Sequence, residues 1–155
     1  MKRLFLTIIC AFLAAIAGFG YVTENDIVDW SNKHELTDLL VSIAKVESSL
    51  DETAISSQGA MGLYQFMPIT VLDLAQRWNY YFSPFNPEDS TKAAIFYLEW
   101  LFEKLDGDLD LVLTAWNWGY GNVRKHQRGE IEIPKSVLTF TEKVKEGFEW
   151  NGFGQ

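Results

Sequence analysis

The sequence predicts a mainly α-helical single domain, on three observations. Apolar positions recur at helical spacing over almost all of the chain after residue 22. Residues that start and stop helices bracket those stretches. Alternating β-branched runs are lacking, and only Ile131-Glu132-Ile133 suggests a short strand. The length of 155 residues suits one domain, and 48% apolar against 22% charged residues supports a packed core. No internal repeat or low-complexity linker interrupts the chain.

Residues 1–17 are expected to be a signal peptide. Lys2 and Arg3 give a positive start, Leu4 to Ala17 is uncharged and apolar, and Ala15-Ile16-Ala17 has the small-x-small pattern of a cleavage site. The alternative is an uncleaved anchor, because the uncharged run extends from Leu4 to Val22, close to the ~20 residues that span a bilayer. Either way the body, residues 23–150, is exported. Cys10 is the only cysteine and lies in this segment behind Ile9, which is not the small residue a lipid-modified cysteine wants. A cleaved chain would therefore have neither a disulfide nor a thiol nucleophile.

The helices follow in order. Thr23-Glu-Asn-Asp opens a short one with N-cap chemistry. Leu36, Leu40, Ile43 and Glu47 recur at steps of four, three and four, and Leu39 and Ala44 widen that stripe. A further helix should run from Thr70 to about Trp78, behind Pro68. In "FNPEDSTKAAIFYLEWLFEKLDGD", Asn86 caps, Pro87 takes the first position, two acids fill the first turn, and Gly107 ends the helix. Asp108 then caps "LDLVLTAWN", which stops at Gly119, and a final helix follows Pro134 with apolar residues at 137, 140, 144 and 148.

Charge and composition exclude several classes of function. Without residues 1–17 the chain has 11 basic and 21 acidic residues, a formal charge of −10. That balance disfavours nucleic acid, which is bound by neutralising phosphates. His34 and His126 stand apart, so no zinc site is expected, and no Walker or Rossmann glycine motif is present. No metal or cofactor is expected. The chain has 6 Trp, 6 Tyr and 11 Phe, more rings than a small core needs, which points to a ring-lined surface.

Glu47 is the residue with chemical promise. It continues an inward stripe, so its carboxyl should emerge beside apolar groups, where desolvation raises its pKa. A protonated acid in such a pocket is what glycosidic cleavage needs to protonate the departing oxygen. The other reading is a solvated acid in a fraying last turn, poorly placed toward the helix dipole. The loop behind it, with Ser56, Ser57, Gly59, Ala60 and Gly62, lets backbone approach a ligand. Gln65 could donate to and accept from sugar hydroxyls. A plain connector would have the same glycines.

"ES" at 47–48, "SSQGAMGLYQFMPIT" at 56–70 and "TAWNWGYGNV" at 114–123 resemble the SLT-type lytic transglycosylases. These bacterial and phage enzymes cut peptidoglycan and share a lysozyme-like fold with goose-type lysozymes. The resemblance covers about residues 36–147. It implies that Glu47 is the catalytic acid and that Ser56, Gln65 and Met67 line the saccharide groove. Trp116 and Asn117 fall on the Tyr-Asn pair of the family pattern, with Asn117 either in the groove or tying its helix to the floor. Trp116 replaces the family's usual Tyr but keeps a stacking face and an indole N–H, and Trp118 replaces a small Ala on what should be the same wall. Ser90 and Ala94 stand at usual Asn and Gly positions, and Phe140 and Ser136 at usual Tyr and Glu positions.

The resemblance further implies cleavage of the MurNAc–GlcNAc β-1,4 bond with 1,6-anhydromuramoyl ends, one Glu acting as acid and then base. Asp51 and Glu52 are the nearest other acids in sequence, and neither is required. The alternatives are a hydrolytic lysozyme of the same fold and an inactive wall-binding module of a secretion or phage apparatus. The implied partner is the peptidoglycan glycan strand, met in the periplasm or cell envelope by a monomer. Cell-envelope or phage machinery is a further partner class, and membrane contact is expected only through an uncleaved N-terminal segment.

Overall fold

The computed structural model describes residues 21–150 and residue 152, so the expected signal segment and Cys10 lie outside the described residues. Seven helices make up the described chain: α1 (Glu24–Trp30), α2 (Thr37–Ser48), α3 (Pro68–Trp78), α4 (Pro87–Lys104), α5 (Leu109–Trp118), α6 (Tyr120–Gln127) and α7 (Lys135–Lys145). Among the described residues, none of the helices is long and apolar enough to cross a membrane.

The caps are those the sequence suggests. Thr23 and Asp26 form a reciprocal capping box at α1. Asn86 Oδ1 accepts from the Asp89 N–H at 3.0 Å, and Asp108 Oδ1 from the Leu111 N–H at 3.0 Å. Two boundaries differ in detail. Helix α3 begins at Pro68 rather than Thr70, because a ring-fixed φ suits the first helical position. Helix α4 ends at Lys104 with Asp106 already left-handed (φ 53°), and the Gly107 N–H closes back on the Phe102 carbonyl at 3.0 Å.

Two expectations are corrected. Helix α6 was not anticipated: Val123 is its one buried residue, so it has no apolar stripe to betray it. Residues 131–133 form no strand. No neighbouring strand offers them a ladder among the described residues; instead the Ile131 carbonyl meets His126 Nδ1 at 2.9 Å. β-propensity without a partner strand is not enough.

Helix α2 is the axis of the fold. It packs on α1, α4 and α7, while α5 packs on α4, α6 and α7. Leu39, Leu40, Ile43 and Ala44 are buried in the same core as Leu98, Leu101, Val112, Leu113 and Val144. Burying each large aliphatic side chain contributes roughly 2 kcal/mol. The Ser42 hydroxyl donates to the Val144 carbonyl at 2.6 Å and locks α2 to α7. The end of α2 is thereby held where the core opens to the surface.

Candidate active site

The stripe that buries α2 ends at Glu47. Leu36, Leu40 and Ile43 are fully buried, and the next residue in their row is the partly buried carboxyl. Behind it Ser49 (φ 57°) and Leu50 (φ 67°) turn the chain away in left-handed conformations. Burial lifts the Glu47 pKa from 4.5 to about 7, opposed in part by a hydrogen bond from Trp116. That bond runs from the indole Nε1–H to Oε1 at 3.1 Å. The inward reading of Glu47 thus describes its surroundings; a solvated last-turn residue does not.

One wall of the cleft is the loop from 54 to 67, fastened by its own backbone. Met61 and Phe66 exchange N–H···O bonds at 3.0 Å, and the Gly62 N–H reaches the Ala54 carbonyl at 2.8 Å. The Ser48 hydroxyl donates to the Leu63 carbonyl at 2.8 Å, tying this wall to the residue after Glu47. Gly62 is required by space: at φ 71°, a Cβ there would overlap the Pro84 carbonyl.

Across from the loop stand the rings of Trp116 and Tyr97, which pack on rings that the loop supplies. Trp116 packs at ring-centroid distances of 5.5 Å from Phe66, 5.7 Å from Tyr97 and 6.4 Å from Tyr64. The Tyr64 hydroxyl is buried against Thr91 Oγ1 at 3.1 Å. Between the walls lies a cleft of about 310 Å³, and among the described residues lining it Glu47 is the one acid. Asp51 and Glu52 line a different cavity, beyond Ser48 and Ser49. Asp51 there accepts from the Thr53 N–H and hydroxyl at 2.8 and 2.7 Å.

The sequence singled out Glu47, Ser56, Gln65, Met67, Trp116 and Asn117, and the structure brings all six to this cleft. Their details depart from expectation. Both Gln65 Nε2 hydrogens are taken by its own loop, at the Ala54 carbonyl (3.1 Å) and the Gly62 carbonyl (2.9 Å). What Gln65 offers a ligand is therefore its carbonyl oxygen. Ser56 Oγ accepts from the Ala60 N–H at 3.0 Å, which leaves its O–H to donate. Met67 is exposed on the rim.

Asn117 is exposed and lines the cleft rather than tying α5 to the floor. That turn is held by Asn122, whose Nδ2 donates to the Trp118 carbonyl at 2.8 Å. Trp118 is not part of the cleft wall, and Phe140, at the family's usual Tyr position, sits in the core and does not line the cleft. Sequence reasoning did not single out Phe66, which lies in the stretch read as the cleft wall, and missed Thr70 and Tyr97. The surplus of rings was the available signal, but only packing shows which rings line a surface. Among the described residues no cluster of His, Cys, Asp and Glu could hold a metal ion.

Comparison with known proteins places the chain in a family. The family model described as Transglycosylase SLT domain matches residues 28–137. A protein of Alteromonas sp. (strain M-1), named for tributyltin chloride resistance, is 31% identical over 102 residues, covering 63% of this chain and 47% of that one. The chain thus spans about half the length of that relative.

Among solved structures, an inactive mutant of the lytic transglycosylase Slt from Pseudomonas aeruginosa superposes with a TM-score of 0.59 at 22% identity. It covers 83% of this chain and 22% of that one. The 70-kDa soluble lytic transglycosylase of Escherichia coli gives 0.65 at 24% identity over 81% of this chain and 23% of its own. A complex of the 70-kDa soluble lytic transglycosylase with bulgecin A gives 0.65 at 23% identity, covering 77% of this chain and 22% of that one. The helical fold is the lysozyme-like fold of those domains, and the chain belongs to the transglycosylase SLT domain family.

Proposed function

We propose that the chain is a peptidoglycan lytic transglycosylase that cleaves the MurNAc–GlcNAc β-1,4 bond with Glu47 as its acid and then its base. The observation that carries this is one half-buried carboxyl, its pKa lifted to about 7, standing in a cleft whose described lining holds no second acid. A hydrolase of this kind normally sets a second carboxylate beside the first to hold water or attack the sugar. The names of the solved relatives support the same reaction class.

In the first step neutral Glu47 gives its proton to the glycosidic oxygen as the C1–O bond breaks, and the electron pair leaves with that oxygen. The substrate's 2-acetamido group steadies the positive centre at C1. Glu47, now a carboxylate, takes the proton of the muramoyl C6 hydroxyl, whose oxygen closes on C1. The product carries a 1,6-anhydro end, and Glu47 returns to its starting state with no water consumed. A pKa near 7 suits both halves, because acid and conjugate base are both accessible near neutral pH.

Ser56, Gln65, Met67, Trp116 and Asn117 would hold the sugars. Ser56 offers a hydroxyl donor, Gln65 a carbonyl acceptor and Trp116 a ring face. The protein would act in the periplasm or cell envelope, with residues 1–17 as its export signal. Digestion of purified sacculi read by mass spectrometry tests the reading. Soluble fragments one water lighter than reducing-end products are expected. Reducing ends would instead make this a lysozyme, and binding without release would make it a wall-binding module.

A further inference from the structure

We propose that Trp116 is a positioning residue that decides which oxygen of Glu47 carries the catalytic proton. Its indole N–H occupies Oε1, which assigns the proton to Oε2. This rests on the reading of Glu47 as the acid. An indole N–H can only donate, whereas a phenol or alcohol at the same place could donate or accept. Oε1, 3.1 Å from Nε1, is therefore held as an acceptor in both protonation states of Glu47. In the neutral acid the hydrogen is left to Oε2.

The indole is not free to turn away, since Tyr64, Phe66 and Tyr97 pack around its ring. Nor does another charge set the proton's position. The titratable groups facing Glu47 are Tyr64 from the loop and Tyr97 from α4, both driven upward mainly by burial and so neutral. Helix α5 brings no ionisable group to the cleft lining. On α2 itself, Lys45 points to solvent, where it pairs with Glu24 at 2.7 Å.

The proton balance follows from this arrangement. As Oε2–H is transferred to the departing oxygen, the charge left on the carboxylate is met at Oε1 by the N–H, and Oε2 remains the basic atom that later takes the C6 hydroxyl proton. Trp116 thereby stabilises the carboxylate formed in the first step without competing for either proton.

The test uses the full chain, with sacculi as substrate. Trp116→Phe keeps a ring but removes the donor. We expect its kcat to fall about tenfold or more with KM little changed, and the high-pH limb of activity to move up by about one pH unit. Trp116→Tyr, which restores a donor, should recover part of both. Should Phe disturb folding, 3-benzothienylalanine at position 116 keeps the indole shape and lacks only the N–H.

A carboxyl NMR titration of Glu47 in wild type and variant needs no turnover and should show the same upward shift. An unmoved pH limb and titration overturns the proposal, as does a change confined to KM, which would mean simple stacking. A wild type that releases nothing from sacculi defeats the assigned reaction and with it the catalytic role, while the titration still reports whether Trp116 holds the carboxyl.

Discussion

The two walls beside Glu47 are built by different physics. The loop wall from 54 to 67 is fixed by backbone: reciprocal N–H···O bonds, a glycine pressed on the Pro84 carbonyl, and side chains of Ser48, Ser56 and Gln65 that bond main chain. The facing wall, Trp116 and Tyr97, is fixed by packed rings, two of which, Tyr64 and Phe66, are supplied by the loop itself. A backbone-built wall demands particular residues at particular positions, because few side chains satisfy each bond or φ value. A ring-built wall demands volume and a donor, which more than one aromatic can supply. The sequence follows the family pattern closely on the first wall and departs from it on the second, at Trp116.

The comparison can be broken most forcefully at Gly62. Gly62→Ala should cost about 2–4 kcal/mol and abolish activity, since the methyl group meets backbone that cannot yield and φ is left-handed. Thermal denaturation together with sacculus digestion would check both. Gln65→Ala removes two bonds to loop carbonyls and should cost about 2 kcal/mol, with activity falling through loosening of the wall. If it left stability unchanged and raised KM alone, Gln65 would be a ligand contact and not a brace. Ser48→Ala should cost about 1 kcal/mol in a urea titration through loss of the Leu63 bond.

The acid between the walls has its own signature. A pKa raised from 4.5 to about 7 means that the folded protein holds this proton more tightly than the unfolded chain. The corresponding stability is complete below pH 4.5 and lost as pH rises through about 7. Glu47→Gln should therefore match wild type near pH 4 and exceed it by on the order of 3 kcal/mol near pH 8. Melting temperatures at the two pH values would show it, and equal differences at both would mean that Glu47 is solvated. Activity of the wild type should decline as pH rises past about 7, because the proposed first step needs the neutral acid.

What could be read from the sequence follows the same division. Helices with an apolar stripe and a cap residue were legible, down to Thr23, Asn86 and Asp108. Helix α6 was not, since a helix with one buried residue has no periodicity to detect. Ile131 and Ile133 suggested a strand because propensity is local while a ladder needs a neighbour. In the cleft, the stripe made Glu47 a candidate with a solvated alternative, and the motif resemblance singled it out. Gln65 lines the cleft, but its donors are spent inside the loop, a fact of folding rather than of composition. Tyr97 and Phe66 were hidden among many rings, and Trp116 showed its N–H in sequence but not the carboxyl it would meet.

The central claim, that Glu47 alone drives bond cleavage, is tested most directly by the products that wild type and Glu47→Gln release from purified sacculi, resolved by mass, with each protein's melting temperature measured alongside. The account predicts 1,6-anhydromuramoyl fragments from wild type and about a thousandfold fewer from a fully folded Gln variant. Undiminished release by that variant would contradict it.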